Sequence, residues 1–114
     1  MGDAGPELLL RWTQYGALTP FCRNHSMKET IHQEPWVFGE PYESVCRKMI
    51  KLRQRLLPYL YTIFEECHRT GAPILRPLLF EYPEDETTYN ADDEFLLGSA
   101  LLVAPITRPG IEHR

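Results

Sequence analysis

The chain has 114 residues, enough for one ordinary domain and too few for a complete eight-stranded α/β barrel, which takes roughly 250. Apolar residues make up 43% and charged residues 25%, the balance of a globular protein rather than a disordered one, and no apolar run reaches the ~20 residues of a spanning helix. A formal charge of -4 and a pI near 5.5 offer no general attraction to phosphate backbones, so neither nucleic acid nor a membrane is an expected partner.

Cys22, Cys46 and Cys67 are odd in number and widely spaced, which proposes no disulfide framework and suits a reducing, cytoplasmic compartment. Cys22, His25 and His32 match no known metal clamp, and no metal or cofactor is expected. At the N-terminus no basic segment precedes an apolar one, so no signal peptide is expected. Met1-Gly2 begins a myristoylation motif that Pro6 breaks, since Ser or Thr is required there.

Pro6 is preset for the first turn of a helix and Glu7 sits near the positive end of its dipole, so a helix is expected from about Gly5 to Gly16. Leu8, Trp12 and Tyr15, with Leu9 beside them, fall on one stripe. Trp12 on that stripe reads as core more readily than as a sugar platform. Residues 17–21 read as a short strand in which Pro20 bars an interior ladder position. At its carboxyl end stands Thr19-Pro20-Phe21-Cys22-Arg23-Asn24-His25-Ser26. Arg23 offers a fork of donors, Asn24 both donors and acceptors, and His25 a ring that donates from one nitrogen and accepts at the other. Such a mixture suits a hydroxyl-rich ligand, and equally a polar turn that satisfies its own backbone.

Residues 27–39 have no sustained period and form a loop of the length associated with function or with covering a site. Trp36 and Phe38 are read as anchors of that loop, and Glu34 is a lone carboxylate, which is weak support for acid/base chemistry. The longest element starts near Pro41 and runs to about His68, with Val45, Met49, Leu52, Leu56, Leu60, Ile63 and Cys67 along one helical face. Glu43, Arg47, Lys48, Lys51 and Arg55 mark a solvated opposite face, with Glu43 and Arg47 spaced as an i,i+4 pair. Pro58 frees the Gln54 carbonyl and predicts a kink. Gly71 and Pro73 end the helix.

Residues 74–82, broken by Pro77 and Pro83, suit an extended segment along a surface rather than a central strand. Glu84-Asp85-Glu86 and Asp92-Asp93-Glu94 read as solvated turns. Residues 95–97 and 100–105 read as two strands about Gly98-Ser99, with Leu101-Leu102-Val103 expected to be buried on both faces. Residues 107–114 trail off, with no further apolar segment to cover the hairpin.

Helix, short strand with polar residues at its exit, loop and long helix is the order of units in an α/β barrel. Glu7-Leu8-Leu9-Leu10-Arg11-Trp12, Pro20-Phe21-Cys22-Arg23-Asn24-His25, Gln33-Glu34-Pro35-Trp36, Leu56-Leu57-Pro58-Tyr59-Leu60-Tyr61, Arg76-Pro77-Leu78, Phe95-Leu96-Leu97-Gly98 and Leu102-Val103-Ala104-Pro105 closely resemble family 31 glycoside hydrolases, the α-glucosidase family. The resemblance runs from about residue 3 to residue 110. It implies an α/β fold in which residues 1–72 are the end of a (β/α)8 TIM barrel (helix 7, strand 8, helix 8) and residues 73–114 begin a β-sandwich. It also implies that His25 hydrogen-bonds hydroxyls of the sugar in the -1 subsite of an α-glucoside or oligosaccharide, while Arg23 orients the site from beneath, through a strand-end carboxylate.

The family's nucleophile and acid/base are two aspartates after strands 4 and 6. Neither position falls within this chain, so the remainder of the barrel is expected to be required. Leu18-Thr19 departs from a common aromatic pair, and Cys22 stands where a larger residue is usual. Two other readings compete: a helical interaction module that docks by its apolar face, and a truncated non-catalytic sugar-binding protein.

Overall fold

The computed structural model describes residues 4–113; Met1-Gly2, and with it the lipidation reading, lies outside them. In chain order come α1 (Pro6–Ala17), α2 (Tyr42–Thr70), β1 (Leu75–Arg76), α3 (Leu78–Glu81), a 3-10 turn (Glu86–Asn90), β2 (Phe95–Leu97) and β3 (Leu101–Val103). The strands form one antiparallel sheet in the order β1-β2-β3, with Leu75 opposite Leu97 and Phe95 opposite Val103. The hairpin at Gly98-Ser99 is as expected, and residues 74–82 supply an edge strand and then α3, whose first position follows Pro77.

The helix ends follow their local chemistry. Pro6 takes the first helical position of α1 after an extended Gly5, and Gly71 closes α2 in the left-handed conformation at φ 78°, with its N–H on the Cys67 carbonyl. At the start of α2, Pro41 is the cap rather than the first helical residue, and Glu40 reaches forward to accept from the Ser44 hydroxyl at 2.6 Å. Arg47 and Glu43 pair at 2.5 Å, and α2 continues through Pro58.

No strand forms over residues 17–21. A strand exists through its ladder, and among the described residues none pairs with this segment. α1 instead runs on through Gly16 to Ala17, and side chains take up the backbone groups that follow.

The core lies between the C-terminal half of α2 and the sheet. Leu60, Ile63, Leu97 and Val103 are buried together, with Leu18, Tyr59, Ile74, Phe95 and Leu101 packed around them. The expectation of an uncovered hairpin is therefore corrected: α2 covers it. Leu102 is exposed, because β3 is an edge strand with one wet face, not a strand buried on both. Residues 107–113 do not trail free either. Arg11 donates to the Ile111 carbonyl at 2.5 Å and the Gly110 N–H donates to Glu7 at 3.0 Å, tying this segment to α1.

Along α2 the inward-facing seam, buried at Cys46, Leu60 and Ile63 and half-buried elsewhere, differs from the expected stripe by two positions. Cys46, Met49, Arg53, Leu56, Leu60, Ile63 and Cys67 follow steps of three and four, whereas Leu52 is exposed. α1 turns Leu9 and Ala17 inward, which leaves Trp12 62% exposed instead of in the core, and Trp36 is 65% exposed instead of anchoring its loop.

One buried cation fastens α2 to the sheet. Arg76 is 4% exposed, donates to Glu66 at 2.9 Å, to Glu81 and to the Pro73 carbonyl, and lies over the Phe80 ring. The carboxylate of Glu81 foremost, and that of Glu66 after it, hold this guanidinium in its charged form more firmly than usual.

Candidate functional site

Arg23 and His25 meet directly. Nη2 of Arg23 lies 3.0 Å from Nδ1 of His25, so the arginine faces the ring. A guanidinium has donors only, so a hydrogen bond between the two has Nδ1 accepting, and a neutral ring in that bond carries its proton on Nε2, free to donate to a hydroxyl. Both side chains are exposed, as are residues 21–29 throughout.

The side chains of Thr19, Asn24 and Arg53 hold this stretch and the residues that lead into it. The Thr19 hydroxyl, on a buried residue, lies 3.0 Å from the carbonyls of both Gly16 and Phe21. Asn24 donates to the Gln33 carbonyl at 2.5 Å, which draws the following loop back to the site. From α2, Arg53 reaches the carbonyls of Gly16, Ala17, Thr19 and Pro20. Sequence reasoning missed Arg53. Its signal was a cation four positions after Met49 and three before Leu56, on the apolar face itself.

Other candidates separate from this cluster. Glu34 lies 3.4 Å from His32, both largely outside the core. Among the described residues no three His, Cys, Asp or Glu side chains gather as a metal group, so Cys22, His25 and His32 are not brought together. Asp85 caps the 3-10 turn by accepting from the Thr87 N–H and hydroxyl. A separate cleft of about 730 Å³ opens between α1 and residues 105–109, lined by Leu8, Trp12, Tyr15, Phe95 and Ile106 among others; neither Arg23 nor His25 lines it. Among the described residues no helix is long and apolar enough to cross a membrane.

The fold is a helical pair joined to a small antiparallel sheet, and known proteins share it closely. Residues 2–63 match the glycosyl hydrolases family 31 TIM-barrel domain and residues 71–114 match the glycosyl hydrolase family 31 C-terminal domain. The chain belongs to glycoside hydrolase family 31.

It is 56% identical over 108 residues to alpha-glucosidase 2 of Bacillus thermoamyloliquefaciens, covering 95% of this chain and 14% of that protein. With neutral alpha-glucosidase C of Mus musculus it shares 49% over 109 residues, covering 96% of this chain and 12% of the relative. Among solved structures, a Flavobacterium johnsoniae family 31 dextranase complexed with glucose superposes with a TM-score of 0.89 at 47% identity, covering 96% of this chain and 13% of that one. A family 31 alpha-xylosidase from a soil metagenome, complexed with xylose, gives 0.84 at 27%, covering 96% and 20%. The chain thus spans about an eighth of the length of the curated relatives it matches.

Proposed function

We propose that these residues act within a retaining α-glucosidase of family 31, which hydrolyses O-glycosidic bonds at the non-reducing end of α-glucosides or related oligosaccharides. The observation that carries this reading is the 56% identity to an α-glucosidase across 95% of the chain. In this reading residues 1–72 are the end of the catalytic barrel (helix 7, strand 8 and helix 8), and residues 73–114 open the β-sandwich. The three cysteines are compatible with a reducing, cytoplasmic setting.

His25 forms one wall of the -1 subsite. Its Nε2–H donates to a sugar hydroxyl, and the 3.0 Å contact from Arg23 holds the ring in the donating tautomer. A hydrogen bond of this kind favours hydrolysis to the extent that it strengthens as the sugar flattens toward an oxocarbenium-like transition state. The nucleophile and the acid/base come from other barrel units, so the site is complete only with the remainder of the barrel.

The test is His25→Ala in a full-length protein that carries these residues. We expect kcat/KM to fall by about 2–4 kcal/mol equivalent, the effect of losing a buried polar donor from the transition-state complex. Unchanged kinetics would remove His25 from the site.

A further inference from the structure

We propose that Arg53 is a positioning residue for sugar binding, acting from α2 on the segment that carries Arg23 and His25. This inference rests on the subsite reading above. Its geometry does not: Nη1 of Arg53 lies 3.3 Å from the Gly16 carbonyl, 3.2 Å from that of Ala17 and 2.5 Å from that of Thr19, and Nη2 lies 3.0 Å from that of Pro20.

Four carbonyls on one guanidinium do two things. Gly16 and Ala17 end α1, where carbonyls lack intrahelical partners and a cation is favourable. Thr19 and Pro20 lie beyond the helix, so the same fork also sets the direction in which the chain leaves. Pro20 precedes Arg23 by three positions, and every residue from Phe21 to Glu29 is exposed. Arg53 therefore grips the last backbone carbonyl before the exposed stretch. Further along, the Thr19 hydroxyl reaches the Phe21 carbonyl, Asn24 bonds Gln33, Arg23 meets His25 and Thr30 bonds the Met27 carbonyl.

An arginine here is an expensive choice for packing alone. It occupies the seam between Met49 and Leu56, where an aliphatic side chain would bury without desolvating a charge. A planar fork presents donors from two nitrogens in a fixed geometry, which the single ammonium nitrogen of a lysine cannot reproduce. The arrangement suits a group that fixes where a neighbouring donor sits, because small misplacements at a sugar site cost large factors in binding and rate.

The experiment uses the full-length enzyme with Arg53→Met, Arg53→Lys, His25→Ala and the double variant Arg53→Met/His25→Ala. Active sites are counted with a covalent inactivator, and KM for an aryl α-glucoside and the inhibition constant for free glucose are measured per active site. We expect Arg53→Met to raise both constants about ten- to hundredfold, Arg53→Lys to recover part of the loss, and the double variant to be no worse than His25→Ala.

If His25→Ala impairs the enzyme while Arg53→Met changes only the number of active sites, Arg53 is structural support and the assignment is wrong. Full additivity in the double variant overturns it as well. Normal kinetics for His25→Ala would bring down the subsite reading and this one together. Should Arg53→Met not fold, the test passes to Arg53→Lys: a raised glucose constant at an unchanged site count supports the proposal, and an unchanged constant refutes it.

Discussion

Gly98 sits where the hairpin turns against α2, at φ 62°. A Cβ there would fall 2.8 Å from Ile63 and closer still to the Tyr59 hydroxyl, which donates to the Leu97 carbonyl at 2.7 Å. Two penalties therefore meet in Gly98→Ala: a left-handed backbone worth about 1–2 kcal/mol per residue and overpacking worth about 1–3 kcal/mol. We expect a loss of about 2–5 kcal/mol in denaturant unfolding of a full-length protein that carries these residues. Tyr59→Phe, which deletes one hydrogen bond and keeps the ring, should lose only about 1 kcal/mol. Equal losses in the two variants would show that the close approach at Gly98 is not what constrains this joint.

Among the elements, the 3-10 turn has the plainest dependence on pH. The Thr87 hydroxyl, and after it the Thr87 N–H, hold the Asp85 carboxyl below its ordinary value. A carboxylate depressed in the folded state stabilises above its unfolded pKa, and that contribution is lost as pH falls through the folded value. Amide exchange at Thr87 should accordingly show extra opening in acid, below about pH 4, and Asp85→Ala should abolish that increment. An acid-induced increment that persists in Asp85→Ala would rule out the cap as its source.

The same scale shows what was legible beforehand. Helix ends were readable because Pro6, Gly71 and Pro73 act locally, and the hairpin was readable from two apolar runs about Gly98. The strand at residues 17–21 was not, since a ladder depends on partners that no local pattern supplies. The seam of α2 was misread at Leu52 because hydropathy ranks leucine above Arg53, while helical spacing admits either residue between Met49 and Leu56. In the site, residue types announced Arg23 and His25 as polar recognition groups; their mutual contact depends on a backbone path fixed by Arg53, 28 positions beyond His25.

For the whole molecule, the balance between core and surface decides what these residues can do alone. The buried cluster is Leu60, Ile63, Leu97 and Val103, while Trp12, Phe21, Trp36, Leu57, Tyr61 and Phe64 stay exposed. Apolar area left in water contributes nothing to stability at the usual ~25 cal/mol per Å² and favours association instead. Retaining glycosidases also need two carboxyl groups about 5–5.5 Å apart across the scissile bond, and the family resemblance puts both outside this chain. The purified 114-residue polypeptide should therefore bind a hydrophobic dye, elute above monomer size and hydrolyse an aryl α-glucoside no faster than buffer, at concentrations where a full-length relative is readily measured. Turnover that follows the polypeptide through purification and disappears in His25→Ala would mean that the described elements carry a complete catalytic site, against the division of labour proposed for the barrel.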